Sequence, residues 1–219
     1  AIVTAATEIA DGGHDADFPL VVWQTGSGTQ TNMNANEVIA NRALELLGDA
    51  RGSRARVHPN DHVNRGQSSN DSFPTMMHIA AAEAVHALVL PALHHLHASL
   101  VRRDEQWARL VKIGRTHMMD ATPVTLGQEF AAWARQVELG VARLQNVLPH
   151  LLAVPQGGTA VGTGLNSHPD FGTAFCEHLA ALTGLPFTTA ANKFEGMGAH
   201  DVFVELSGVL NTIAVSLNK

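Results

Sequence analysis

From Ser72 the chain enters a long apolar stretch, residues 73–101. Its Met76, Met77, Ile79, Ala80, Val85, Leu88, Leu93, Leu96 and Leu100 run nearly all round a helix rather than along one stripe. A helix that is apolar on most sides has to be covered on several of them. In a chain of 219 residues this predicts burial in a multi-helix bundle, and in an oligomer core. Pro91 lies within the stretch and predicts a kink or break. A second stretch fills residues 125–153 with Phe130, Trp133, Val137, Leu144, Val147 and Leu151. Thr125 followed by Gln128 is the spacing of a capping box at its start. Ser167-His168-Pro169-Asp170 predicts the opening of a shorter helix that runs to about Leu182 and is closed by Gly184. A third long helix is expected from near Ala199 to the end of the chain.

The first 65 residues are different. Short helical pieces alternate with loops, and Asn34–Leu47 predicts one helix, stopped by Gly48 where a left-handed residue is needed. Arg51–Asn64 is polar, contains Pro59, and reads as loop. No stretch longer than a few residues alternates as a strand does. The expected fold class is therefore mainly α. A mixed helix and loop domain at residues 1–68 would precede a long-helix bundle at 69–219. Both ends read as cuts: the chain opens without Met on Ala1–Ala6, which looks like a helix interior, and closes at Leu210–Lys219 with no Gly stop. The expectation is a fragment whose bundle continues past Lys219.

Charge excludes some partners. Lys and Arg number 14 against 20 Asp and Glu, a net charge of -6. Nucleic acid and anionic membrane both require a basic face. The one cysteine, Cys176, has no internal partner and sits among apolar residues, which fits a reducing, cytoplasmic setting. No apolar run is read as reaching the length of a membrane span, and no signal-peptide pattern is present.

Three polar segments carry the chemistry. Thr25-Gly26-Ser27-Gly28-Thr29-Gln30-Thr31-Asn32, Gln67-Ser68-Ser69-Asn70-Asp71 and Gly114-Arg115-Thr116-His117 are crowded with hydroxyl and amide groups. Neutral donors of this kind can clamp a small anion. Gly26-Ser27-Gly28 lacks the Gly-Lys-Ser/Thr ending of a phosphate loop and the third Gly of a dinucleotide site. A plain flexible turn would explain the glycines but not the hydroxyls that arrive with them. Ser68, Ser69 and Asn70 precede a long helix, so they can cap it, and the same helix N-terminus can receive an anion. His117 sits beside hydroxyls in what reads as a polar loop, a candidate general acid or base. His58-Pro59-Asn60-Asp61-His62 has a metal-like spacing only on a helix, and Pro59 and Asn60 argue for a turn. That turn could be a plain cap or an accessory anion site. His94, His95 and His97 read as solvated or interfacial. Gly157–Asn166 is a connector rich enough in hydroxyl and amide groups to bring its backbone near a ligand.

Taken together, Trp23–Val38, His58–Asn64, Gln67–Asp71, Gly114–Gln128 and Gly157–Asn166 resemble the class II fumarases, in that family's order, across nearly the whole chain. Aspartate ammonia-lyase resembles it at Asn32-Met33-Asn34 and Asn60–Asn64. That enzyme typically has Gln at the place of His117 and Thr at the place of Ser69, and both differences favour fumarase. A helical assembly module without activity is an alternative of another class.

The resemblance implies reversible hydration of fumarate to L-malate without metal or organic cofactor. It implies a mainly helical, three-domain subunit whose central five-helix bundle packs into a homotetramer with active sites shared between subunits. Ser27, Gly28 and Thr29 would hold substrate carboxylate, Ser68, Ser69 and Asn70 would line the same pocket, and Thr116 would donate a hydrogen bond. His117 would move the proton at the departing hydroxyl. A second dicarboxylate site would match His58, Pro59, Asn60 and Asp61. The Arg expected just upstream falls on Ala55, with Arg54 and Arg56 as candidates to replace it. The family's Ser base, on a Gly-Ser-Ser loop, would lie beyond Lys219, so the 219 residues alone are expected not to turn over.

Overall fold

The structure, a computed structural model, describes residues 1–24 and 26–218. Thr25, the first residue of the opening polar segment, and Lys219 lie outside the described residues. In chain order the main elements are α1 (Ile2–Ala10), α2 (Thr29–Leu46), α3 (Ser69–Ala84), α4 (Leu90–Gln106), β1 (Val111–Thr116), β2 (Met119–Thr125), α5 (Leu126–Leu151), β3 (Ala153–Val154), α6 (Phe171–Thr183), β4 (Thr188–Thr189), α7 (Lys193–Gly198) and α8 (Asp201–Leu217). The mainly α expectation is correct. Packing divides the chain into two units. The first holds residues 1–78 and 153–199, and the second holds 79–152 and 200–219.

In the first unit α1 lies on α2. Ala5, Ala40, Ala43, Leu44 and Val57 form the buried core there, with Ile2, Ile39 and Val63 packed against it. Arg42 on α2 ties the two helices by pairing with Glu8, and it also pairs with Glu45. These contacts hold both carboxyls below their ordinary value, chiefly through hydrogen bonds from Arg42 to Glu8 and from Arg51 to Glu45. α2 starts at Thr29 rather than at Asn34, so the hydroxyl-rich segment forms its first turn. Gly28 precedes it with a left-handed φ of 67° and, as a glycine, has no side chain to cap the helix. At the other end Gly48, at φ 82°, stops the helix as expected. Within the expected loop at Arg51–Asn64, Pro59–Val63 closes one wide helical turn.

β3 and β4 pair in parallel, with Ala153 opposite Thr188. α6 ends on Gly184 in the left-handed conformation. The Ser167–Asp170 cap works differently from the expectation: no side chain caps α6, and the His168 ring accepts the Asp170 N–H instead.

The second unit is the long-helix part. α4 packs along α5, and α5 packs along α8. Leu90, Leu93, Val137, Val141, Leu144, Val147, Leu206 and Ile213 are buried there. A Cβ on Gly140 would come within 3.0 Å of the Ile213 side chain, so α5 and α8 touch closely at that glycine. The capping box at Thr125 is complete: its hydroxyl accepts the Gln128 N–H at 3.2 Å, and Gln128 accepts the Thr125 N–H at 2.9 Å. Phe130 stacks edge-on with both Trp107 and Trp133.

Pro91 does not break its helix. Residues 85–89 form a wide π turn just before it, and helical structure runs from Ser69 to Gln106. Loosening that turn accommodates the missing proline N–H and the clash of its ring with the carbonyl of Ala87. By length and composition this helix could cross a membrane, with a window of mean hydropathy 1.5, of which 28% is buried. That corrects the expectation that no run is long enough, because neither Pro74 nor Pro91 interrupts the helix.

The other correction concerns strands. β1 and β2 form an antiparallel hairpin in which Thr116 faces Met119 and Arg115 faces Asp120. The ribbon has mostly exposed residues on both faces, so it shows no alternation of apolar and polar positions. Gly114 marks an irregularity in the pairing, and a Cβ there would lie 2.7 Å from the Thr122 carbonyl oxygen.

Candidate active site

The first unit gathers three of the polar segments. The N-terminus of α2 follows Gly28, and Ser27 and Thr29 flank that glycine. The Ser27 hydroxyl lies 3.2 Å from the Thr29 hydroxyl, which in turn lies 3.1 Å from that of Ser69. This ladder joins residues 40 apart in sequence, and its members are solvent-accessible. The N–H groups of a helix that starts on a glycine, beside aligned hydroxyls, suit a carboxylate, which accepts hydrogen bonds on both oxygens. Gly28 is required at its place: a Cβ would lie 2.1 Å from the Phe73 ring, and φ is positive. The α2 terminus therefore sits directly on α3.

Asparagines fix the register between these pieces. Asn64 accepts from Asn32 at 3.2 Å and from Asn36 at 3.0 Å, and donates to the Gln67 carbonyl at 3.2 Å. That sets the turn preceding Ser68. The Ser68 hydroxyl accepts the Asn70 N–H at 3.2 Å, a cap on α3, as the capping reading expects. Asn70 itself donates to the Ala160 carbonyl at 2.7 Å, which brings in the Gly157–Asn166 segment.

Asp71 was not singled out in the sequence. It is fully buried. One carboxylate oxygen accepts the Ser68 N–H at 2.9 Å, and the other accepts the N–H groups of Gly157 at 3.0 Å and Thr159 at 2.8 Å. Burial pushes its pKa up, against the lowering effect of these donors. Its partners lie 86 and 88 residues away, so no local spacing could reveal them.

Thr116 and His117 belong to the second unit. His117 and Met118 form the two-residue tip of the β1–β2 hairpin, at φ 50° and 59°. Positive φ at both tip residues is the geometry of a type I′ turn, which ordinarily takes Asn and Gly. His117 is therefore on a hairpin tip rather than in a loop. Its ring is exposed and has no hydrogen-bond partner among the described residues. Arg115 and Asp120 pair across the ribbon at 3.2 Å just below it.

The His58–His62 segment is a turn that caps itself. His58 Nδ1 accepts the N–H groups of Asn60 at 3.2 Å and Asp61 at 3.3 Å, and His62 Nδ1 accepts the His58 N–H at 2.9 Å. The histidine, not Asp61 or Asn60, does the capping. Pro59 is buried, while Asn60 and Asp61 are exposed. Arg54 pairs with Glu37 at 2.9 Å, and Arg56 pairs with Asp49 at 2.6 Å.

The lyase family model matches residues 1–219. The chain belongs to the lyase family. Within that family it is similar to the class II fumarate hydratase of Nitrosomonas europaea, 58% identical over 100% of this chain and 47% of the relative. It is similar in the same degree to the mitochondrial fumarate hydratase of Danio rerio, 58% identical over 100% of this chain and 43% of the relative. Among solved structures, the class II fumarase of Schistosoma mansoni superposes with a TM-score of 0.95 at 46% identity. That match covers 99% of this chain and 48% of the other. The chain thus spans about half the length of the lyase-family relatives it matches.

Proposed function

We propose that the chain forms part of a fumarate hydratase, which interconverts fumarate and L-malate without metal or organic cofactor. The activity is assigned to a protein of its relatives' length, of which these residues are about half. The observation that carries the reading is the hydroxyl ladder Ser27–Thr29–Ser69 beside the α2 terminus.

Dehydration of malate removes a weakly acidic C–H next to a carboxylate, the proton passing to a base supplied by the part of the relative-length protein that these residues do not cover. Charge then moves onto that carboxylate, and fixed donors aimed at its oxygens lower the barrier. Ser27 and the Gly28–Thr29 backbone are assigned to this task, while Ser68, Ser69 and Asn70 line the same pocket and hold the substrate in place. Thr116 supplies a further hydrogen bond. His117 gives the departing hydroxyl its proton, directly or through water, and takes one in the reverse direction.

The homotetramer and the shared sites belong to the same proposal. They are supported by Leu88, Val204 and Val215, large apolar residues exposed in this chain. The second dicarboxylate site at His58, Pro59, Asn60 and Asp61 is assigned a weak role. Both arginines available to replace the one expected at Ala55 are already paired with carboxylates. A cytoplasmic location is proposed from the single buried Cys176.

The test follows fumarate absorbance in the relative-length protein, with L-malate or L-aspartate as substrate. Fumarate is expected from malate, none from aspartate, and a chelator should leave the rate unchanged. Turnover of aspartate in place of malate overturns the reading.

A further inference from the structure

We infer that Asp71 is a positioning residue that ties the carboxylate-binding turn Ser68–Asn70 to the glycine-rich segment 157–160, and so sets the orientation of the Asn70 amide. The inference rests on the fumarate hydratase reading for its substrate. The tether itself rests on hydrogen bonds alone.

Both oxygens of Asp71 are engaged by donors. Besides the Ser68, Gly157 and Thr159 N–H groups, the Ser72 hydroxyl lies 3.4 Å from the oxygen that faces Ser68. Ser72 accepts from Gln156 at 3.3 Å, so its single proton is free to point to Gln67 at 3.2 Å or to Asp71. A carboxylate is the one side chain of this size that accepts on both arms at once. The grip on segment 157–160 has a visible cost. Thr159 is held at φ 57°, a left-handed conformation unfavourable for a branched residue, and Gly157 at φ 94°. Thr159 is buried, and its hydroxyl has no partner among the described residues. The bond from its N–H to Asp71 holds it there together with the turn bonds from Gly158 to the Pro155 carbonyl and from Gly162 to the Gly158 carbonyl.

The next residue, Ala160, offers its carbonyl to Asn70 at 2.7 Å. Only the NH2 end of an amide can donate to a carbonyl, so this contact settles which way Asn70 faces. One N–H is occupied, and the second N–H and the amide oxygen remain for substrate. Asp71 therefore touches no substrate and acts through Asn70.

The experiment compares Asp71→Asn, Asn70→Ala and the double variant with the wild-type protein of relative length. The amide of Asp71→Asn must turn a donor toward Ser68 or toward the 157/159 pair, which breaks one side of the tether. KM for malate should rise roughly tenfold, with kcat changed much less. In the double variant the losses should be far from additive, since both act on one amide. Unchanged KM in a folded Asp71→Asn, or additive losses, overturns the inference. A measurement without variants covers a failure of Asp71→Asn to fold. In the wild-type protein, a bound dicarboxylate should slow hydrogen exchange at the Gly157 and Thr159 amides as well as at Ser68–Asn70. Slowing at Ser68–Asn70 alone overturns the tether. A wild-type protein that binds dicarboxylate but converts neither fumarate nor malate overturns the proposed function, while the exchange result still decides the tether.

Discussion

Asp71 and His117 stand at opposite ends of one scale. Asp71 is fully buried, with both oxygens bonded. His117 is exposed at the tip of a two-stranded ribbon with no ring partner among the described residues, next to Met118, which is 97% exposed. In the proposed function, binding a carboxylate requires donors fixed in advance, and contacts inside the first unit hold the candidate donors in place. Moving a proton requires a group whose surroundings set its basicity. Here the chain supplies the group and leaves its surroundings open. The candidate clamp in the first unit is held together by contacts inside the chain, and the histidine ring at the hairpin tip has no such contacts among the described residues.

Three substitutions break or sharpen that contrast. The largest effect is expected from His117→Asn in the relative-length protein, a loss of kcat of about 1,000-fold. Asn tolerates positive φ, so the turn survives and the change isolates the proton-moving group. A near-normal rate would remove His117 from the chemistry. Next comes Gly28→Ala, which drives a Cβ into Phe73 and strains the backbone. A loss of about 3 kcal/mol in denaturant unfolding is expected, together with weaker dicarboxylate binding. If stability falls while affinity holds, the clamp is less dependent on the α2 terminus than the geometry requires. The smallest effect is Met118→Gly, which relieves left-handed strain at the hairpin tip. It should stabilise the chain by about 1 kcal/mol, read as a higher melting temperature. A loss of stability would mean that Met118 is held by packing after all.

How legible each region was in the sequence follows the same contrast. Local signals were reliable where one short pattern decides one end of a helix: Thr125 with Gln128, Gly48 and Gly184 all act as their spacing implies. The hairpin was missed because a ribbon exposed on both faces has no reason to alternate, and its tip lacks the Asn-Gly pair that advertises such turns. The α2 start was misplaced because Gly28 begins the helix through backbone geometry rather than through a capping side chain. The hydroxyls of the clamp were visible as composition. Asp71 was visible only as part of that composition, because its partners Gly157 and Thr159 lie 86 and 88 residues away.

The wide turn at residues 85–89 has a further consequence for the helix that contains it. A turn that holds one residue more than its neighbours rotates everything after it by roughly 100° about the axis. Across it the buried positions Ala82, Val85, Leu90 and Leu93 step by 3, 5 and 3 residues, and the wide turn takes up the extra residue so that they stay on one face. Deleting a single residue at this place would leave the helix intact and turn Leu93, Leu96 and Leu100 away from their present facing. The turn is a phase corrector: it keeps the buried positions on either side of it in one stripe.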